Sequence, residues 1–135
     1  MLFRSEGATV LAGTTSGRSG LWLLDPDNLT IDAAGRTSIT NSLNNGTSVE
    51  INTTSAASFG ATVNFTGAIG DVIMRGGDIS VSPTANVNFT INAAGGIVLG
   101  GNITSSTNAL NINISPGTVN GTTKSIIFRS EEHHV

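Results

Sequence analysis

The pentapeptide GGDIS at residues 76–80 is echoed further along the chain by GGNIT at residues 100–104. The strand-like segment that follows is echoed as well, because VNFTIN at residues 87–92 matches LNINIS at residues 110–115. The second offset is one position shorter than the first, and slippage at the intervening turn reconciles them. An imperfect period in the low twenties predicts the coils of a β-solenoid, stacked about 4.8 Å apart, and about five such coils in this length of chain.

Apolar and polar residues alternate in most of the candidate strands, as in residues 49–51, 63–65 and 87–91. Successive side chains of a strand point to opposite faces, so Ile, Val and Phe are expected inside and Asn, Thr and Ser outside. Like residues stacked on the outer face can form hydrogen-bonded ladders. Residues 46–51 and 60–65 suggest a further, shorter echo. No window shows a 3.6-residue period, so the sequence predicts no helix.

The composition excludes several classes of protein. Gly, Thr, Ser and Asn make up nearly half of the 135 residues, charged residues only 11%, and the formal net charge is −3. With a mean hydropathy of +0.14, the chain is too apolar and too weakly charged for a disordered protein, and it lacks the Lys and Glu of a coiled coil. The acidic pI of about 5.1 argues against nucleic acid as a partner. No apolar run predicts a membrane span, and the absence of Cys excludes disulfides.

The spacing of the turns leaves two all-β architectures open. Gly and Asn at residues 44–46, 76–77 and 100–102 mark corners between short strands. A β-sandwich also has short strands that recur every 8–12 residues or so. The echoed segments favour the solenoid, and so does the scarcity of aromatic residues, with five Phe and one Trp.

Several segments of the chain carry a resemblance to a known family. The most specific is WLLDPDNLTI at residues 22–31; weaker segments follow at residues 42–49, 91–97, 101–106 and 109–112. Over about residues 7–121 the sequence resembles an internal stretch of the filamentous haemagglutinin-like exoproteins of two-partner (type Vb) secretion systems. The resemblance implies a right-handed parallel β-helix that is exported through an outer-membrane transporter. It also implies a secreted, cell-surface protein that mediates adhesion or aggregation through receptors or glycans on host or bacterial cells.

The chain is expected to divide into three segments. Residues 1–20 are predicted to be an incoming coil or a frayed segment, residues 21–127 the β-helix, and residues 128–135 a disordered tail that need not be native. The tetrapeptide FRSE occurs both at residues 3–6 and at residues 128–131, on either side of a nearly charge-free interior. We expect the signal and secretion domain to lie outside this sequence.

Two small clusters are candidates for chemistry. The oxygen-rich group Asp25, Asp27, Asn28 and Asp32 could bind calcium, although it lacks EF-hand and β-roll spacing, and we favour a structural turn. Parallel β-helices also host polysaccharide lyases and hydrolases, which need clustered carboxylates. The candidate for such a site is the group Asp71, Arg75 and Asp78, for which we favour a solvated salt bridge beside the glycine turn.

Other polar signals are weaker still. His133 and His134 have no carboxylate or Cys partner that would indicate a metal site. Asn-x-Ser/Thr sequons, which are glycosylated in some members of the resembled family, begin at several positions, among them Asn28, Asn45, Asn52, Asn64, Asn88, Asn102 and Asn120.

The sequence therefore predicts a stalk and adhesion segment that has no catalytic, cofactor or metal residues. The alternative is a carbohydrate-active β-helix domain. Ligands would bind shallow faces rich in Asn and Thr, and exposed coil edges would allow self-association. The residues expected to carry the fold are Trp22, Leu24, Ile31, Val87, Phe89, Ile91, Leu110, Ile112 and Ile114.

Overall fold

Strands account for most of the structure, a computed structural model that describes residues 2–3, 20–26, 28–54, 70–119, 122–123 and 126–128. Within these ranges the elements are β1 (Leu2–Phe3), β2 (Leu21–Leu24), β3 (Leu29–Ile31), α1 (Ala33–Asn44), β4 (Ser48–Asn52), β5 (Val72–Met74), β6 (Ile79–Val81), β7 (Val87–Asn92), β8 (Ile97–Leu99), β9 (Ile103–Ser105), β10 (Leu110–Ser115), β11 (Thr118–Val119), β12 (Thr122–Thr123) and β13 (Ile126–Phe128).

The strands of the described residues form three parallel sheets and one short antiparallel pair, β11–β12. The parallel sheets are a five-stranded one in the order β1-β3-β5-β8-β13, a four-stranded one in the order β10-β7-β4-β2, and the pair β6–β9. A β-sandwich is built from antiparallel sheets. The parallel pairing therefore contradicts the sandwich and agrees with a β-helix-like, predominantly β fold.

The chain visits the three parallel sheets in a repeating order. β5, β6 and β7 belong to the five-, two- and four-stranded sheets in turn, and β8, β9 and β10 repeat that order. In the earlier round, α1 occupies the place in the chain that β6 and β9 occupy later, and it packs against β6. Asn44 Oδ1 accepts a hydrogen bond of 2.7 Å from the backbone N–H of Ser82, directly after β6. The helix thus provides a hydrogen-bond partner at the β6 edge of the two-stranded sheet, beside which no described strand lies.

The register confirms the two sequence echoes. Ile79 pairs with Ile103 and Val87 pairs with Leu110, so each echoed segment lies beside its counterpart. The third, shorter echo stays a prediction, because residues 60–65 lie outside the described residues.

The core lies between the sheets and consists of the inward residues of the alternating strands. Ile31, Val87, Phe89 and Ile91 are buried, as predicted. Trp22, Leu24, Leu110 and Ile114 are half-buried and pack against that core. Ile112 departs from the prediction because 42% of its surface is exposed. Its register partner Phe89 has strands on both sides, because β10 lies beside β7. Ile112 has a strand on one side only, because no described strand follows β10 in the sheet.

Helix α1 contradicts the prediction that no helix is present. Its buried residues are Gly35, Ser38, Ile39, Ser42 and Leu43. They follow the i, i+3, i+4, i+7, i+8 spacing of an amphipathic helix. Three of the five are Gly or Ser, so the buried face carries little hydrophobicity. For that reason the 3.6-residue period does not stand out in the sequence.

Capping residues explain where α1 begins and ends. Asp32 is the N-cap, and its side chain accepts a hydrogen bond of 2.9 Å from the backbone N–H of Gly35. After the C-cap Asn45, Gly46 has φ of 81°, and Thr47 N–H donates to Ser42 C=O, which is the Schellman pattern. Residues 44–46, predicted to be a corner between strands, are therefore the C-terminal cap of a helix.

Polar side chains form the ladders that the outer-face pattern predicts. Asn111 Nδ2 donates to Asn88 Oδ1 at 3.2 Å, and Thr104 Oγ1 donates to Ser80 Oγ at the same distance. The hydroxyl groups of Ser82 and Ser106 lie 2.5 Å apart. Each of these bonds spans one offset of the sequence echo, so the ladders connect consecutive rounds of the chain.

The three predicted segments of the chain are only partly described. Leu2 and Phe3 form β1, which pairs with β3, and residues 4–19 of the predicted incoming segment lie outside the described residues. Phe128, the first residue assigned to the tail, ends β13, and residues 129–135 also lie outside the described residues.

Candidate functional site

The candidate cluster of Asp71, Arg75 and Asp78 does not converge on one site. Asp71 directly precedes β5 and Arg75 directly follows it. Their Cα atoms are thus about 13 Å apart, at roughly 3.3 Å per residue of extended strand. Asp78 lies beyond the turn at Gly76 and Gly77. The structure therefore places Arg75 and Asp78 at one corner and Asp71 at the other end of the strand.

Both carboxylates bond the backbone of the next round instead of facing each other. Asp71 Oδ1 accepts a hydrogen bond of 2.7 Å from Gly96 N–H, and Asp78 Oδ1 accepts one of 2.8 Å from Asn102 N–H. Asn28 has the same role in an earlier round, since its Oδ1 accepts from the backbone N–H groups of Gly70 and Asp71 at 2.7 and 3.2 Å. These side chains connect successive rounds, in place of the predicted salt bridge.

Replacing Asp71 by alanine is expected to lower the free energy of unfolding by about 1–2 kcal/mol. The partly buried Gly96 N–H then loses its acceptor, and an unsatisfied donor costs about that much. Asp71→Asn keeps an acceptor oxygen and should lower the free energy of unfolding clearly less. Urea titration of the two variants and the original chain measures the difference. Equal losses for the two variants would contradict the bonding role. Unchanged stability together with lost polysaccharide cleavage would favour the catalytic alternative.

Two of the four candidate calcium ligands, Asn28 and Asp32, make structural hydrogen bonds. The side-chain oxygen of Asn28 accepts the two backbone N–H groups of Gly70 and Asp71, and the Asp32 carboxylate caps α1. Asp27 lies outside the described residues. Among the residues that the structure describes, no group of three or more His, Asp or Glu side chains lies close enough to hold a metal ion. His133 and His134 are not among those residues.

The outward face of the four-stranded sheet carries polar side chains on three neighbouring strands. One row across it contains Leu23, Glu50 and Thr90, which are register partners on β2, β4 and β7. A second row contains Asn52, Asn92 and Ser115 on β4, β7 and β10. We call the outward residues of β4, β7 and β10 the polar face: Glu50, Asn52, Asn88, Thr90, Asn92, Asn111, Asn113 and Ser115.

Glu50 organises the amides of the polar face. Its Oε1 accepts from Asn52 Nδ2 at 3.4 Å and from Asn92 Nδ2 at 3.3 Å. A groove of about 410 Å³ begins beside these two asparagines and runs past Ser115 and Pro116. The residue types offer amide, hydroxyl and carboxylate groups, which suit a neutral, hydroxyl-rich ligand. Such a face was predicted from the sequence, but the role of Glu50 was not, because Glu50 meets Asn92 only through the pairing of two distant segments.

A second concave region lies between α1 and the corner at residues 75–78. The cleft has a volume of about 240 Å³. It could not be predicted without the helix, and no motif in the sequence marks Arg36. The lining residues are Ala33, Arg36, Thr37, Thr40, Asn41 and Asp78.

No helix within the described ranges is long and apolar enough to cross a membrane. Comparisons with protein-family models, with characterised proteins and with solved structures give no significant match.

Proposed function

We propose that this chain is a segment of a right-handed parallel β-helix that acts as stalk and adhesion surface of a large secreted bacterial exoprotein. The observation that carries the proposal is the order of the strands: β5–β7 and then β8–β10 visit three parallel sheets in the same succession, at nearly equal offsets along the sequence. Rounds stacked in this way form a rod whose length grows with the number of repeats. The resemblance of residues 22–31 to two-partner exoproteins supports the same interpretation.

The polar face supports adhesion. Glu50 is its one ionisable residue, and its amides and hydroxyls recur from strand to strand at the spacing of the sheet. A shallow face of this kind binds weakly at each position, and many copies along a rod multiply that weak binding through avidity. Receptors or glycans on host or bacterial cells are the proposed partners.

Adhesion of coated beads tests this function. Beads that carry the chain should adhere to epithelial cells more than beads that carry an unrelated protein. The paired replacement Asn88→Ala and Asn111→Ala, which removes one ladder of the polar face, should lower adhesion several-fold. The matched control is Ser80→Ala with Thr104→Ala, which removes one ladder from the two-stranded sheet and should adhere like the original chain. Adhesion no higher than that of the unrelated protein, or equal loss in both variants, would contradict the proposal.

Export and assembly follow from the same proposal. The chain would leave the cell through an outer-membrane transporter as a segment of the longer exoprotein and would remain at the cell surface. Isolated from its neighbours, a stack of parallel strands presents open edges to a second copy. We therefore also propose self-association through the ends of the stack.

A further inference from the structure

The cleft between α1 and the corner at residues 75–78 has an arginine that is held in place. Arg36 Nη1 donates a hydrogen bond to the backbone carbonyl of Arg75. The guanidinium lies across Gly77, where a Cβ atom would collide with it. Gly77 has φ of 141°, a conformation that a side chain would strain. The glycine corner thus provides both the space and the backbone acceptor that orient the Arg36 fork.

The contact with the Arg75 carbonyl leaves the Arg36 charge in place because a carbonyl oxygen carries no formal charge. A guanidinium presents five N–H donors in a fixed plane and binds a carboxylate through two parallel hydrogen bonds. A guanidinium that is already oriented loses less conformational entropy when it binds. This region of the cleft suits a carboxylate.

The remaining walls suit hydroxyl groups. Thr37 and Thr40 donate their hydroxyl protons to helix carbonyls, at 3.1 and 2.8 Å, so their oxygens remain able to accept. Asn41 is exposed at the rim and offers an amide. Asp78 adds a carboxylate whose Oδ1 is anchored by Asn102 N–H. A carboxylate at this place accepts from sugar hydroxyls and repels a doubly charged anion such as phosphate more strongly than a singly charged carboxylate.

We propose that this cleft binds one uronic-acid residue of an acidic polysaccharide, with the sugar carboxylate on Arg36 and its hydroxyls on Asp78, Asn41 and the threonines. The volume of about 240 Å³ lies below the range of roughly 300–1,000 Å³ typical of drug-sized ligands, which suits a single sugar residue. The inference goes beyond the proposed function. Adhesion through the polar face does not need the cleft, so either can fail without the other.

The test is a titration of the whole chain with trigalacturonate, followed by NMR chemical shifts. The methyl ester of the same trisaccharide, which lacks the charge, and inorganic phosphate are the control ligands. We expect saturable binding of the acid and at least about tenfold weaker binding of the two controls. The ester lacks the charge that pairs with the guanidinium, and phosphate is repelled by Asp78 and has no sugar hydroxyls for the other walls.

Four variants locate the binding. Arg36→Gln should abolish binding, and Arg36→Lys should weaken it because a lysine keeps the charge but not the fork. Arg75→Gln is the matched control: it removes the same charge, leaves the Arg75 carbonyl in place and should bind like the original chain. Thr37→Glu sets a carboxylate in the cleft at an exposed position of α1, where it repels the sugar carboxylate, and should abolish binding in a folded chain.

Four results would each overturn the inference. Equal affinity for acid and ester would show that Arg36 does not recognise the sugar carboxylate. Equal loss of affinity in Arg36→Gln and Arg75→Gln would show unspecific charge attraction. Phosphate bound as tightly as the acid would show an adventitious anion site. If Arg36→Gln does not fold, Thr37→Glu decides: lost binding with native circular dichroism supports the cleft, and unchanged binding overturns it.

Discussion

Phe89→Ala is expected to lower the free energy of unfolding by about 3–5 kcal/mol, the usual cost of removing a buried phenylalanine. Phe89 is fully buried and heads the set of large side chains with no exposed surface. It lies on β7 between its register partners Val49 on β4 and Ile112 on β10. Its ring thus fills the middle of the stack, and alanine would leave a cavity that the paired strands cannot close without shifting register.

The size of this effect matters because a whole domain is stable by only about 5–15 kcal/mol. A loss of this size removes a large share of that margin. We expect the urea midpoint of Phe89→Ala to fall sharply, or the variant to unfold outright at physiological temperature. Trp22, half-buried beside the same core, provides the fluorescence signal.

The control for Phe89→Ala is Thr90→Ala, the next position along the same strand. Thr90 points to the outward face, so its replacement should cost less than about 1 kcal/mol. The two variants differ in the face of the sheet that they alter. Similar losses for both would contradict the inward placement of Phe89, and with it the register that places the core.

The contrast between Phe89 and Thr90 could be predicted from the sequence because a strand alternates with a period of two. The echo between residues 87–92 and 110–115 also predicted which strands pair and in which register, and the pairing of Val87 with Leu110 confirms it. The alternation is a local pattern and the echo recurs at a nearly constant offset, so both are visible in the sequence alone. Where a helix or a long connection interrupts the offset, as between β4 and β7, the pairing could not be read from the sequence.

Helix α1 and the cleft beside it could not be predicted for a different reason. Two of the buried positions of α1 are Ser38 and Ser42, where leucines would have revealed the period. The Arg36 contact to the Arg75 carbonyl joins two segments that are far apart in the sequence. The corner glycines at residues 76–77 were visible, but their partner across the cleft was not.

The sequence predicted that polar ladders form on the outer face, but which residues bond each other depends on the register of the strands. Asn88 and Asn111 bond each other as the outer-face pattern suggested. The role of Asp71 and Asn28 was not foreseen, because a carboxylate or amide beside a turn can bond its own turn, a salt-bridge partner or the next round. The backbone N–H of Gly96 decides between these for Asp71.

Ile112→Lys is expected to weaken self-association of the chain at least about a hundredfold. Ile112 occupies an inward position at the end of the four-stranded sheet, yet 42% of its surface is exposed. It lines a cavity of about 410 Å³ with Leu99, Ile103 and Ile114. At the opposite end of the same sheet, the inward column that contains Ile112, Phe89 and Val49 ends at Trp22 on β2, which is half-buried.

The occupant that we propose for this end is β2 of a second copy. Both ends of the sheet carry strands of one direction and one alternation, so β2 of the next copy can continue the pairing of β7 with β10. Such a contact joins unlike ends and does not close on itself, so assemblies should grow with concentration. A lysine at residue 112 would have to bury an unpaired ammonium in that contact, which costs several kcal/mol.

Sedimentation velocity over a hundredfold range of concentration measures the effect, and Asn113→Lys is its control. Asn113 neighbours Ile112 on the outward face, so the control adds the same charge to the same strand and leaves the apolar end intact. We expect the original chain and Asn113→Lys to associate and Ile112→Lys to stay monomeric. A monomeric original chain would overturn the proposed association. Equal dissociation of both lysine variants would show that net charge, and not burial of the apolar end, controls assembly. Ile112 and Asn113 are consecutive residues of β10 and point to opposite faces of the sheet. A difference between their lysine variants therefore also tests whether the inward column of Val49, Phe89 and Ile112 continues across the contact between copies.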